Sequence, residues 1–274
     1  MMGRIAFVGS TALLLLMVGC GHGQRALLPL GEHLKPEALF RLPAKERVVY
    51  LTIDDGPSAS TGAILDLLAA YNATATMFLH TDHIAGHEAL IARAVEDGHS
   101  FANHLPADRS AKEFSAEQFA DELRESHCAL EALTGQTPIY FRPPLGAYST
   151  ERMGPALRAL GYKAPRDRPY ILTSFLPWDA GGMTETRFDA VNRLAAGFYG
   201  RQLGGSVFPG AIVIFHDGPR AIRTKHTLHS LEVFLKRATA RGFSMKGLPV
   251  PDVAAPASCQ NSRESQLASP RSDG

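Results

Sequence analysis

This chain of 274 residues is short of sulfur, tryptophan and net charge. Its three cysteines, Cys20, Cys128 and Cys259, are too scattered for a cysteine zinc site. Cys128 lies in a helical pattern, as a small core residue would. Cys259 lies in a polar tail. The two could form one bridge in an oxidising compartment, and the sequence leaves that open. The formal net charge is +1 and the basic residues are scattered, so there is no footprint for nucleic acid. The apolar stretch Ile5 to Val18 is shorter than the roughly 20 residues that a membrane span needs. No repeat recurs at a fixed period, and nothing marks a second domain. What is present, 45% hydrophobic and 20% charged residues, is the composition of one large domain with processed or disordered ends.

The N-terminus reads as a processing signal: Arg4, then the apolar stretch, then Leu16-Met17-Val18-Gly19-Cys20. The last five residues resemble a bacterial lipoprotein box, with Met17 less usual for its place. The resemblance implies cleavage after residue 19, a lipid on Cys20, and a cell-envelope protein anchored to a membrane. An ordinary secretory signal or an uncleaved anchor would also place the domain outside the cytoplasm, periplasmic or secreted. The chain then divides into a signal at 1–19, a tether at 20–44 with little periodicity, a domain at 45–250 and a disordered tail at 251–274 rich in Ser, Pro and Ala.

Within the domain, strand patterns at 48–53, 74–79, 99–103, 139–142, 170–175, 211–215 and 243–246 alternate with helix patterns at 60–70, 87–97, 115–133, 150–160, 184–199 and 224–240. Ser115, Ser149 and Thr184 stand near helix starts as caps. The alternation predicts an α/β fold with a parallel sheet, either a barrel or a doubly wound sheet. Both collect function at the carboxyl ends of strands.

Chemistry-bearing residues stand at those ends. Asp54 and Asp55 close the first strand before Gly56-Pro57, where two adjacent acids repel; a cation or a proton in transit would compensate, and a plain strand-ending acidic turn is the alternative. His104 and Asp108, four apart after the third strand, could aim at one point and suit a divalent metal. Arg142 ends the fourth strand, where a buried guanidinium wants a carboxylate. The stiff Pro143-Pro144-Leu145-Gly146 turn behind it can hold backbone N–H groups ready for an oxyanion. Trp178 and Asp179 follow the fifth strand; an indole face stacks on sugars, although a lone aromatic is more often core. His216 follows the sixth, the only side chain of its apolar run that trades protons near neutrality. His80, His83 and His87 have helix-face spacing and read as substrate-side or surface residues.

The motifs Thr52-Ile53-Asp54-Asp55-Gly56-Pro57, Arg142-Pro143-Pro144-Leu145-Gly146 and Ile214-Phe215-His216-Asp217 resemble, in order and spacing, those of the polysaccharide deacetylases with a NodB homology domain (carbohydrate esterase family 4). The resemblance covers about residues 45–248. It implies a single-domain irregular (β/α)7-type barrel that removes N-acetyl, sometimes O-acetyl, groups from a sugar polymer. It implies Asp54 as general base, Arg142 as the residue holding it, His216 as general acid and Asp55 as a metal ligand.

One motif departs. The family's His-(Ser/Thr)-x-x-His reads His104-Leu105-Pro106-Ala107-Asp108 here, so an aspartate stands for the second metal-binding histidine. Asp55, His104 and Asp108 are then the expected ligands of one divalent metal, zinc or else manganese, cobalt or nickel. The Leu145 N–H would serve the oxyanion, and Asp179 would pair with His216. The expected partner is an acetylated, N-acetylglucosamine-containing polysaccharide or oligosaccharide. Two alternatives stand beside this: a non-catalytic sugar-binding envelope protein on the same fold, and a metal-independent amide hydrolase.

Overall fold

The structure is a computed structural model and describes residues 21–162, 168–176, 189–218, 221–250 and 259. Seven strands and seven α-helices fall within them. They run α1 (Gly21–Leu34), β1 (Ala38–Leu39), β2 (Val48–Asp54), α2 (Thr61–Ala70), β3 (Thr76–Leu79), α3 (Glu88–Glu96), β4 (Ser100–Asn103), α4 (Ala116–Thr134), α5 (Thr150–Ala159), β5 (Tyr170–Ile171), α6 (Asp189–Ser206), β6 (Ile212–His216), α7 (Ala221–Ala240) and β7 (Ser244–Lys246).

All strand pairs are parallel. β2 is central, with β6 on one side. β3 pairs its last residues and β7 its first. Almost every residue of β2 is buried, which is why it reads as an unbroken apolar run rather than an alternating one. The wall continues from β4 through single parallel bridges, Asn103 to Phe141 and Phe141 to Tyr170, into β5 and β1. It returns to β6 where the Ser174 N–H donates to the Ile212 carbonyl at 2.8 Å. The result is an irregular α/β barrel rather than a doubly wound sheet. The expected strand 139–142 is reduced to the Phe141 bridge, because Pro143 and Pro144 have no N–H to extend a ladder.

The helices pack outside. α4 buries Phe119, Leu123, Ser126, His127, Leu130 and Thr134, one stripe at helical spacing. Ser115 and Gln118 close a capping box at its start, and left-handed Gly135 ends it. Ser149 precedes α5 without a side-chain cap bond, and Thr184 lies outside the described residues. α6 and α7 pack closely at Gly200, where a β-carbon would sit 2.2 Å from the Ser230 carbonyl oxygen.

The segment expected as a tether is corrected: residues 21–34 form α1, packed on the barrel. Leu28 enters the main core, Gln24 Oε1 accepts the Leu176 N–H at 2.8 Å, and Arg25 stacks on Phe208. Arg41 makes two 2.9 Å bonds to Glu32. Pro29 removes one helical hydrogen bond, so tertiary contacts rather than propensity hold this helix. Cys128 and Cys259 are disulfide-bonded, with Cα atoms 5.5 Å apart, which ties residue 259 to α4. Cys128 is accordingly only half-buried, not a core residue. Among the described residues no helix is long and apolar enough to cross a membrane.

Candidate active site

Parallel strands present all their carboxyl ends on one rim, and the rim gathers the acids, imidazoles and guanidinium. Asp54 lies in register with His216 on one side and Phe78 on the other. His80 follows β3, His104 follows β4, and Arg142 follows the Phe141 bridge.

Asp54 and Arg142 form a buried pair. The Arg142 Nη1 donates to Asp54 Oδ1 at 2.5 Å and to the Thr52 hydroxyl at 2.8 Å. Its Nε and Nη2 donate to the carbonyls of Ile171 and Leu172 at 3.1 and 3.3 Å. The guanidinium also lies over Phe78, 4.1 Å from the ring centre. Burial lowers the pKa of Arg142 from its ordinary value, and the Asp54 charge opposes that. One residue therefore clamps the acid to β2 and fastens β5 beside it.

Asp55, His80 and His104 form a second group. Their ligand atoms all lie within 4.8 Å of one another and all three residues are buried. Nε2 of each histidine is 3.5 Å from the same Asp55 Oδ1. The imidazoles stack with centroids 4.6 Å apart. Burial alone would raise the Asp55 pKa. The imidazoles of His104 and His80 against the carboxylate, with His216 nearby, outweigh it and hold the carboxyl well below the usual range.

Asp108, expected as the third ligand, does not join this group. It is exposed on the loop beyond Pro106, although it lines the same cavity. The reading of His80 as a surface or substrate-side residue is corrected in turn, since it is fully buried. The helical spacing of His80, His83 and His87 misleads because His80 has extended backbone, φ −85° and ψ 121°, and ends the strand instead of entering the helix. The usable signal is its place directly after an apolar run, the place that Asp54 and His216 also hold. His83 supports the site from outside: its Nδ1–H donates to the Asp55 carbonyl at 2.8 Å.

Backbone strain concentrates here. Asp55, Leu105 and Leu145 have positive φ, three of the four non-glycine residues that do so among those described. Asp55 and Leu105 lie in turns just beyond the ends of β2 and β4, and Leu145 lies in the short helical turn Pro144–Gly146. Asn103 explains one of them. Its Oδ1 accepts the Leu105 N–H at 2.8 Å while its Nδ2 donates to Ser126 and Tyr162, so the turn carrying His104 is held by a buried polar network. Leu145 lines the cavity and is 73% exposed, an apolar side chain on a left-handed backbone.

Asp217 is a residue that the motif reading left without a role. Its carboxylate accepts from Ser58 at 2.5 Å, from Ser60 at 2.8 Å and from Thr61. Its N–H donates to the Asp54 carbonyl at 2.7 Å. It thus fastens the loop after the Asp54-Asp55 pair to the strand end that bears His216. A β-carbon on Gly56 would lie 2.8 Å from Asp217 Oδ2, so this loop requires glycine there.

A cavity of about 570 Å³ opens over these groups, lined by Asp54, Asp55, His104, Arg142 and His216. That lies in the range of ~300–1,000 Å³ typical of ligand sites. Gly31, Leu34 and Lys35 wall one side, so α1 and the turn after it belong to the cleft. Trp178, Asp179 and Cys20 lie outside the described residues.

One barrel rim thus carries a buried acid–guanidinium pair, a histidine and a carboxylate–imidazole cluster around a single cavity. The family profile for polysaccharide deacetylases matches residues 41–165. The chain is 31% identical over 219 residues to a chitooligosaccharide deacetylase of Rhizobium leguminosarum bv. trifolii, covering 74% of this chain and 91% of that protein. It is 31% identical over 188 residues to the peptidoglycan-N-acetylmuramic acid deacetylase PdaA of Bacillus subtilis strain 168, covering 68% of this chain and 66% of that one. The fold matches the Bc1960 peptidoglycan N-acetylglucosamine deacetylase at TM-score 0.65 and 20% identity, over 80% of this chain and 94% of that one. It also matches a CE4 family pseudoenzyme from Bacillus anthracis at TM-score 0.59 and 20% identity, over 79% and 69%. This chain belongs to the polysaccharide deacetylase family.

Proposed function

We propose that the protein hydrolyses N-acetyl groups on an N-acetylglucosamine-containing polysaccharide or oligosaccharide of the cell envelope. The observation that carries this is the Arg142–Asp54 pair facing the cavity one strand away from His216. The substrates named for the two relatives at 31% identity point to the same class.

The chain's own groups divide the work. Asp54, held by Arg142, takes a proton from the attacking water. A C–O bond forms at the acetyl carbon, and the Leu145 N–H donates to the developing oxyanion. His216 gives a proton to the sugar nitrogen as the C–N bond breaks, releasing acetate and an amine. The family implies a divalent metal, and the donor set at Asp55 and His104 fits one. Each imidazole of the cluster spends its Nδ1–H on a backbone carbonyl and turns Nε2 toward the carboxylate. When bound, such an ion supplies a Lewis acid that polarises the acetyl carbonyl and acidifies water. Zinc suits these donors best, with manganese, cobalt and nickel as the other candidates.

The full-length protein is expected to release acetate from N-acetylglucosamine oligomers, to lose that activity to a chelator and to regain it with zinc. Acetate release that a chelator leaves untouched would favour a metal-independent amide hydrolase. No release at all would favour a sugar-binding protein. Against that last reading stands the complete Asp54, Arg142 and His216 set, for which a pure binder has little use.

We also propose that Cys20 carries a lipid that holds the protein at a membrane. The support is the Leu16 to Cys20 box, one residue before α1 docks on the barrel. Substituting Cys20→Ser should move the protein from the membrane to the soluble fraction of the expressing cell; an unchanged distribution rejects the anchor.

A further inference from the structure

The family motif supplies two metal-binding histidines from one loop, and this chain keeps only His104 of them. We infer that His80 is the third protein ligand, taken from a different strand end. The inference rests on the metal-dependent reading above.

Topology makes the exchange feasible. β3 lies between β2 and β4, so a residue leaving β3 stands between Asp55 and His104. Backbone bonds lace the three turns together: the His80 N–H donates to the Gly56 carbonyl at 3.0 Å, and the His104 N–H to the Leu79 carbonyl at 3.2 Å.

The side chain is oriented as a ligand would be. A carbonyl can only accept, so the bonds from His80 Nδ1 to Leu105 and from His104 Nδ1 to Arg142, at 3.2 and 2.7 Å, place a proton on each Nδ1. In neutral rings this leaves both Nε2 lone pairs facing one carboxylate oxygen. His80 Nε2 is buried and has no hydrogen-bond partner. Lone pairs on two imidazoles and a carboxylate repel until something positive lies among them. Two protons would answer the same need only by stacking two charged rings 4.6 Å apart out of water, which is costly. One divalent cation satisfies all three donors at once. Two imidazoles and one carboxylate also leave it a net positive charge, and they favour borderline ions such as zinc, cobalt or nickel over manganese. Asp108, exposed in the cleft, is free of the task.

The test is metal content and affinity, measured on the untagged full-length chain by elemental analysis and by cobalt titration followed in the visible spectrum. Wild type should hold about one metal per chain. His80→Ala and the bulkier His80→Gln should bind cobalt at least ~100-fold more weakly, beyond the ~10–100-fold losses typical of outer-shell changes. Asp108→Ala should leave cobalt affinity at the wild-type level, since its side chain is exposed and outside the cluster. Metal held by His80→Gln and lost by Asp108→Ala overturns the inference while leaving the metal reading intact. A wild type without stoichiometric metal overturns both. Circular dichroism melts of the apo forms separate a lost ligand from a lost fold.

Discussion

Asp54→Asn is expected to lower the turnover of N-acetylglucosamine oligomers by about 10²–10⁴-fold, the usual contribution of one proton-transfer group. The substitution keeps the shape of the side chain, and the amide oxygen can still accept from Arg142 Nη1. What disappears is the ability to take a proton from water. Metal content should stay at the wild-type level, because Asp54 is not in the Asp55–His80–His104 cluster. His216→Ala should cause a loss of the same order, greatest for sugars whose nitrogen leaves poorly. The two losses should not multiply if both groups act in one step. Steady-state rates on a defined oligomer, with metal measured on the same samples, decide the matter. Full turnover in the Asp54→Asn variant would remove the general base from this position.

Arg142→Leu should cost stability as well as activity. The guanidinium is buried, and removing it leaves Asp54 charged, buried and uncompensated. Breaking a buried pair in this way costs about 3–5 kcal/mol. For a domain of this size that is roughly 6–20 °C in melting temperature. Two further bonds, to the carbonyls of Ile171 and Leu172, would be lost, and with them the fastening of β5 to the rim. Arg142→Lys should recover only part of the loss, since an ammonium keeps the charge but not the planar fork that joins β2 to β5. Thermal melts of the two variants would show this order; an Arg142→Leu protein melting with wild type would remove the clamp from the account.

These residues were unequally legible. Asp54, Asp55, Arg142 and His216 could be found from a single rule, that polar side chains ending buried apolar strands are costly and so have a reason to be there. The same rule held for His80, but its spacing to His83 and His87 offered a helix as a competing explanation. The place of Asp108 in a motif points it toward the metal. The turn after Leu105 leaves its side chain exposed. α1 is hard to read locally because Pro29 and three glycines weaken its signal, and its stability comes from Leu28, Arg25 and Gln24 touching distant segments.

By itself the sequence determined the alternation of strands and helices, and therefore a rim of strand ends on which reactive groups must stand. It determined this because hydrophobic period is a local property that each segment carries alone. Only the tertiary structure decided which groups share a center. Strand order put β3 between β2 and β4. That order brings a histidine 24 residues upstream of His104 into stacking contact with it, and leaves the aspartate four residues downstream outside the cluster.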